Sequence, residues 1–379
     1  SLRREEGHTG HRPPGRRHTR FSARFGAVSS ASLPVWRLLL CLILPSLSGC
    51  TAAPAYEGPP GSHFDGERFV NREPVERSFA DFVRLGWGAI TDAASWPEWV
   101  EIEQQTIPHT RVEEGISVTF INHATFLLQV VGINILTDPV YSERVSPFRW
   151  LGPRRVHAPG VRMEDLPPID VVLISHNHYD HLDEDTLLDL AQRQEEPPLI
   201  LAGLGNGALF SRLGLARHRD MDWSQSVAIG DLEIVFTECR HMSGRGIGDQ
   251  GKTLWGAFVV RSSAGGIYYA GDSGYGPHYR ETGQQYGPIS LSLLPIGAYE
   301  PRWFMADGHL NPAEAVQAHL DLESRQSVGI HFGTFQLTYE GIDQPVIDLG
   351  RALEQSGVSN GQFQVLAPGE TRRFGSARR

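Results

Sequence analysis

Residues 175–183 read Ser-His-Asn-His-Tyr-Asp-His-Leu-Asp, so three histidines and an aspartate fall within six positions. The segment follows the apolar run Ile169-Asp170-Val171-Val172-Leu173-Ile174, which reads as a buried strand. In extended chain His176 and His178 are two apart and point to the same side. Asp180 and His181 come after a turn and can reach a second position. Neutral imidazole and carboxylate are ligands suited to a borderline cation such as zinc. The alternative is a polar loop that binds nothing. Three downstream residues argue against it: His241, Asp272 and His331 each follow a predicted strand, at 233–237, 266–270 and 327–330. A single histidine at a strand end is usually structural or solvated. The joint set offers five imidazoles and two carboxylates, enough for two four-coordinate ions that share a carboxylate and a water-derived oxygen.

The elements that must position these groups are legible as apolar runs. Residues 117–120, 126–131, 133–137, 232–236, 254–260, 267–270, 291–296 and 327–331 read as strands. A helix is expected over 78–90, with Phe79, Phe82, Val83 and Leu85 turned towards the protein. Asp183 reads as the N-cap of a short helix whose first turn holds Glu184 and Asp185. Further helices are expected over 206–213 and 345–355. Another opens at Asn311-Pro312, with Asn as cap and Pro at the first helical position, and runs through Leu322. Strands with interspersed helices indicate α/β or α+β architecture. The expectation is two packed sheets, helices outside, and a metal site at one sheet edge. Cys239, two residues before His241, reads as a packing residue, not a ligand.

Charge divides the chain. Residues 1–49 carry eight arginines against two glutamates, whereas the whole chain is −10, so the remainder is strongly acidic. An acidic body argues against a nucleic-acid partner, which needs a basic face. The basic stretch leads into the apolar run 33–45, which is short for a membrane span and ends in small residues, as secretory signals do. The ending Leu47-Ser48-Gly49-Cys50 resembles a bacterial lipoprotein signal, which implies cleavage before Cys50 and lipidation of that cysteine. Thr51, not Asp, comes next, which favours the outer membrane of a bacterial cell envelope, facing the periplasm. The expected organisation is a basic segment plus signal over 1–50, a tether over 51–68, an N-terminal extension over 69–116 and a catalytic domain over 117–379. If Cys50 is lipidated and Cys41 removed, Cys239 is the one remaining thiol, so no disulfide framework is expected.

Several stretches carry a family resemblance from about Phe120 to the C-terminus. They include Leu136-Thr137-Asp138-Pro139, Leu166-Pro167-Pro168-Ile169-Asp170, the 175–183 segment, Arg240-His241-Met242-Ser243-Gly244-Arg245-Gly246 and Leu254-Trp255-Gly256. Ala270-Gly271-Asp272-Ser273-Gly274-Tyr275, the run 295–305 (Pro-Ile-Gly-Ala-Tyr-Glu-Pro-Arg-Trp-Phe-Met) and His331-Phe332-Gly333-Thr334-Phe335 complete it. This pattern resembles the metallo-β-lactamase superfamily. Within it, the pattern is similar to the N-acylphosphatidylethanolamine-hydrolysing phospholipase D branch and its bacterial relatives. The resemblance implies a four-layer αββα sandwich. It implies two zinc ions, the first held by His176, His178 and His241, the second by Asp180, His181 and His331, with Asp272 bridging. Asp180 and His309 are implied as catalytic. His309 precedes the Asn-Pro-Ala-Glu-Ala stretch; a surface turn residue is the alternative. Asp138 is implied behind a ligand histidine, fixing its tautomer; a turn cap before Pro139 is the alternative.

The implied chemistry is hydrolysis of an N-acylphosphatidylethanolamine-like phospholipid by a metal-bridging hydroxide that attacks phosphorus. Such a protein would meet a phospholipid substrate and a membrane, the latter through its lipid anchor. Histidine at 178, where di-iron relatives place a carboxylate, favours zinc. Met242 stands where an aromatic is common, and the part before Ser117 matches weakly. Two other function classes compete. One is a metal hydrolase of a lactone, amide or β-lactam carbonyl; the other is an envelope lipoprotein without activity.

Overall fold

The computed structural model describes residues 56–375 except Glu76 and Ile247. The expected signal, Cys50 and residues 51–55 lie outside the described residues. Helix α1 (Phe79–Thr91) comes first, followed by β1 (Ile116–Asn122), β2 (Thr125–Val130), β3 (Ile133–Thr137) and β4 (Val171–Ile174). Then come α2 (Glu184–Arg193), β5 (Leu199–Gly203), α3 (Gly207–Arg212), β6 (His218–Met221) and β7 (Ser226–Ile229). The chain continues with β8 (Leu232–Thr237), β9 (Ala257–Ser262), β10 (Gly265–Tyr269), α4 (His278–Tyr286), β11 (Ile289–Pro295) and α5 (Arg302–Met305). Last are α6 (Pro312–Asp321), β12 (Gln326–Ile330), α7 (Gln344–Ser356), β13 (Phe363–Gln364) and β14 (Thr371–Phe374).

Two seven-stranded sheets result, ordered β14-β1-β2-β3-β4-β5-β6 and β13-β12-β11-β10-β9-β8-β7. Each is antiparallel on one side and parallel on the other. Alternation along β2 shows how the layers form. Phe126, Leu128 and Val130 face the core shared by both sheets, whereas Leu127 joins the outer cluster with Leu187 and Leu190 of α2. On the second sheet Ala315, Val316, Leu349 and Leu353 bring α6 and α7 onto the core. The expected four-layer αββα sandwich is therefore observed. Burying one such large apolar side chain stabilises the fold by roughly 1.5–3 kcal/mol, so this core holds the sheet edges in register.

That register positions the site. Strands β3 and β4 run parallel, and so do β10, β11 and β12, so the C-terminal ends within each group share one edge. Asp138 follows β3, the 175–183 segment follows β4, Asp272 follows β10 and His331 follows β12. Clefts at the carboxyl ends of parallel strands are where α/β sheets place their ligands. The left-handed Gly271 (φ 58°) lets the edges meet, because a Cβ there would lie 2.4 Å from Ser175 Cβ.

Three expectations need correction. Phe79, Phe82 and Val83 of α1 are exposed, at 83, 45 and 55 %, not turned inward. The helix is instead held where buried Gly88 lies against Tyr339, whose hydroxyl donates to the Leu85 carbonyl, and where Phe82 meets Phe304 edge-on. Asp183 precedes α2, but its side chain does not cap it. The carboxylate instead accepts from Ser142 N (2.9 Å) and Thr186 Oγ1 (2.6 Å), because the 140–142 turn brings closer donors. Finally, residues 56–68 are not a free tether. Phe64 is 3 % exposed and packs with Tyr56 and Phe69.

Candidate metal centre

The five scattered histidines and two aspartates converge. His176 Nε2 lies 2.8 Å from His178 Nδ1, which lies 3.3 Å from His241 Nε2. Asp180 Oδ2 lies 3.4 Å from His181 Nε2 and 3.2 Å from His331 Nε2. Asp272 Oδ2 stands between the clusters, 4.0 and 3.9 Å from His176 and His241 and 3.1 and 3.2 Å from His181 and His331. One carboxylate oxygen thus faces both groups.

The residues behind these groups aim them. Asp138, itself left-handed at φ 31°, accepts from Ser175 N (2.7 Å), Ser175 Oγ (2.5 Å), Tyr269 OH (2.5 Å) and His181 Nδ1 (2.6 Å). This fixes the proton of His181 on Nδ1 and leaves Nε2 for the site. His241 Nδ1 donates to the Gly308 carbonyl at 2.8 Å, with the same consequence. Arg245 is buried and holds the 175–183 loop from outside. It donates to the carbonyls of Asn177 (3.0 Å) and Leu182 (2.9 Å) and pairs with Glu184 (2.9 Å).

Burial and charge set the protonation states. Burial holds the pKa of His176, His178 and His241 below the usual histidine range, with neighbouring histidines adding to it, so these imidazoles are neutral. Burial also opposes the charged form of His331, but Asp272 and Asp180 outweigh it and push the pKa up to about 9. His181 is raised likewise, by Asp272, Asp180 and Asp138 against burial. Asp180 and Asp272 go the other way: burial disfavours their charge, yet the facing histidines hold both ionised. The two carboxylates attract positive charge to the second cluster.

A divalent cation fits this donor set. Asp272 Oδ1 and His181 Nε2 are buried without a hydrogen-bond partner, a costly state for polar atoms that a ligated ion relieves. The groups His176, His178, His241 and His123, Asp180, His181, His331 each bring their donor atoms within 4.8 Å of one another. His309 also reaches the site, not a surface turn: its Nδ1 lies 3.8 Å from Asp272 Oδ2. Burial, against the pull of Asp272, takes its pKa down to about 4. Cys239 is buried, its thiol faces the Asp272 carbonyl at 3.4 Å, and it belongs to none of the donor groups among the described residues. Sequence reasoning missed His123, which is 1 % exposed and lies 3.0 Å from Asp180. No motif marks it: it sits in the connection between two predicted strands, and only their pairing brings it to Asp180.

Comparisons agree with this geometry. A family model described as a Beta-lactamase superfamily domain matches residues 133–332. An uncharacterised protein of Mycobacterium tuberculosis is 41 % identical over 260 residues, 67 % of this chain and 68 % of the relative. The N-acyl-phosphatidylethanolamine-hydrolyzing phospholipase D 1 of Caenorhabditis elegans is 35 % identical over 234 residues, 59 % of this chain and 66 % of that protein. Among solved structures, a possible metal-dependent hydrolase from Veillonella parvula aligns with a TM-score of 0.55 at 16 % identity, covering 69 % of this chain and all of that one.

Proposed function

The chain belongs to the metallo-β-lactamase superfamily and is a metal-dependent hydrolase, and on that premise we propose that it is a phosphodiesterase of phospholipase D type. Its substrate is an N-acylphosphatidylethanolamine-like phospholipid, cleaved at phosphorus into phosphatidic acid and an N-acylethanolamine. The observation that carries the reading is Asp272 Oδ2 facing two clusters of donors at 3.1–4.0 Å. Its likeness to the nematode phospholipase favours a phosphodiester over a carbonyl.

His176, His178 and His241 would hold one zinc ion, and Asp180, His181 and His331 a second, with Asp272 between them. Bound there, the ions would acidify water and neutralise phosphoryl oxygens. The chain's own groups do the rest. Asp138 and the Gly308 carbonyl keep His181 and His241 in the tautomer that presents Nε2. His309 is neutral at neutral pH, so it can donate one N–H to a phosphoryl oxygen without adding charge. Its side chain and that of Asp180, 14 and 13 % exposed, form the open side of the centre together with the part-exposed His178.

An apolar face flanks that opening. Phe82 of α1 packs edge-on against Phe304 of α5 at 5.4 Å, while Trp87 and Trp303 remain 68 and 42 % exposed. Arg84 sits 4.1 Å over the Trp303 ring. Aromatic and arginine side chains together suit the boundary between lipid tails and headgroups. Lipidation at Cys50 would add a covalent anchor and place the protein in a bacterial envelope, at the outer membrane facing the periplasm. No described helix is long and apolar enough to cross a membrane.

The test is a substrate panel on zinc-loaded protein. N-acylphosphatidylethanolamine should yield phosphatidic acid and N-acylethanolamine, and bis-p-nitrophenyl phosphate should turn over slowly. Hydrolysis of nitrocefin or a lactone alone would shift the reading to carbonyl chemistry. No bound metal and no turnover would mean a non-catalytic protein.

A further inference from the structure

His123 occupies the two-residue connection between β1 and β2, where Asn122 pairs with Thr125. Its φ is +48°. A left-handed first position in such a hairpin normally takes glycine, and asparagine or aspartate next. A buried histidine there is strained, and strain of this kind persists where the surroundings demand the side chain.

What surrounds His123 is the second cluster. Its Nε2 lies 3.0 Å from Asp180 Oδ2. A carboxylate only accepts, so this nitrogen carries the proton and donates. His331 Nε2 makes the same contact at 3.2 Å, so what separates the two rings is their distance from the second carboxylate. Ligands around one tetrahedral ion with bonds of about 2.0 Å stand roughly 3.3 Å apart. His181 and His331 have that separation from both Asp180 and Asp272, at 3.1–3.4 Å. His123 approaches Asp180 alone of these two carboxylates.

The main chain of His123 makes a second link. Its carbonyl accepts from His331 N at 2.9 Å, and its own N–H donates to Thr334 Oγ1 at 2.9 Å. One residue of the first sheet thus touches Asp180 through its ring and fixes the backbone of His331 at the edge of the second.

We propose that His123 is the positioning residue of the second cation site, orienting Asp180 by hydrogen bond and His331 through the backbone without itself coordinating. The inference rests on the two-cation reading above, and its test does not use the lipid substrate. Metal-free full-length chain is titrated with zinc against a competing chelator, as wild type and as His123→Asn and His123→Gln. Asparagine accepts the left-handed backbone but is too short to reach Asp180. Glutamine is long enough to restore the N–H donor.

In His123→Asn the first equivalent should bind as in wild type and the second should weaken by about 10–100-fold. In His123→Gln the second equivalent should recover most of that loss. Unfolding midpoints of the metal-free proteins separate this from general destabilisation, since a merely structural role would shift them and leave the glutamine rescue absent. A second equivalent held equally tightly by wild type and the asparagine variant overturns the proposal, as does a glutamine variant no better than asparagine. If the asparagine variant does not fold, the glutamine variant decides: a tight second equivalent upholds the role and a lost one refutes it. Wild type binding fewer than two zinc ions rejects the two-cation reading itself, and this inference with it. Two ions without lipid turnover reject only the substrate, and the titration still decides.

Discussion

Asp138 Oδ2 and His181 Nδ1 are 2.6 Å apart, both fully buried, and this contact determines which face of the imidazole looks into the metal centre. Every neighbour of the Asp138 carboxylate is a donor: Ser175 through N and Oγ, Tyr269 through its hydroxyl, His181 through its ring. Asp138→Asn must therefore turn an NH2 towards at least one N–H or O–H. Affinity for added zinc should fall by about 10–100-fold, with the proposed phosphodiesterase rate falling in parallel. Metal analysis after dialysis against a weak chelator checks this. Unchanged zinc content would reduce Asp138 to a turn residue.

Removing a donor is harsher. His176→Ala and Asp272→Asn should lose bound metal and essentially all turnover while keeping the circular dichroism of the wild type. The sandwich core lies between and outside the sheets, not at their edge, so it does not depend on these groups. Wild-type rates in either variant would reject the assignment.

The convergence of the donors was legible because each is written the same way in the sequence: an apolar strand, then His or Asp. Parallel strands do the rest, since they deliver their ends to one edge. Three features were not legible. The apolar residues of α1 have helical spacing, and spacing alone cannot say whether their face meets the core or solvent; Phe79 is 83 % exposed. His123 has no motif of its own, and only the pairing of β1 with β2 and the closeness of Asp180 reveal it. Local propensity likewise marked Asp183 as a cap, but tertiary donors from the 140–142 turn compete for its carboxylate.

His309 separates chemistry from metal binding. Its Nδ1 reaches Asp272 at 3.8 Å and it forms a donor group with His241 and Asp272, but it shares no group with His176, His178, Asp180, His181 or His331. His309→Ala should keep its zinc and lose about 10²–10⁴-fold in rate, the range for a group that handles a proton or hydrogen bond at the reacting centre. Loss of zinc in that variant would make His309 a ligand instead.

Acid should destabilise the fold through buried histidines outside the ligand set. Burial lowers the pKa of His157 to about 4, although its hydrogen bond to the Ala158 carbonyl opposes this and Arg155 reinforces it. Burial with Arg72 takes His278 to about 3. In the unfolded chain both groups take a proton near pH 6.5, whereas the folded protein refuses it. Their contribution is therefore intact above pH 6.5 and drains as pH falls, down to about 4 for His157 and about 3 for His278. By pH 5 one such histidine costs about 2 kcal/mol. His157→Gln can keep both hydrogen bonds without titrating. Urea midpoints measured between pH 7.5 and 5 should fall less steeply in this variant than in wild type; parallel curves would refute the assignment.

The exposed face of α1 gives the last prediction. The two proposed attachments, through lipid at Cys50 and through this face, are separable, because the described body carries the face without Cys50. A chain lacking residues 1–55 should sediment with vesicles of phosphatidylethanolamine and N-acylphosphatidylethanolamine. Phe82→Ser with Trp87→Ser should reduce that binding. Burying one such aromatic in an apolar environment is worth roughly 1.5–3 kcal/mol, so losing two should lower partitioning by at least about 10-fold even if each is only half immersed. Neither Phe82 nor Trp87 belongs to the donor groups, so turnover of soluble bis-p-nitrophenyl phosphate should not change. A variant that binds vesicles as wild type does would show that the face meets something other than lipid. A variant slow on the soluble ester would show instead that α1 supports the catalytic edge through Phe304, which its Phe82 touches at 5.4 Å.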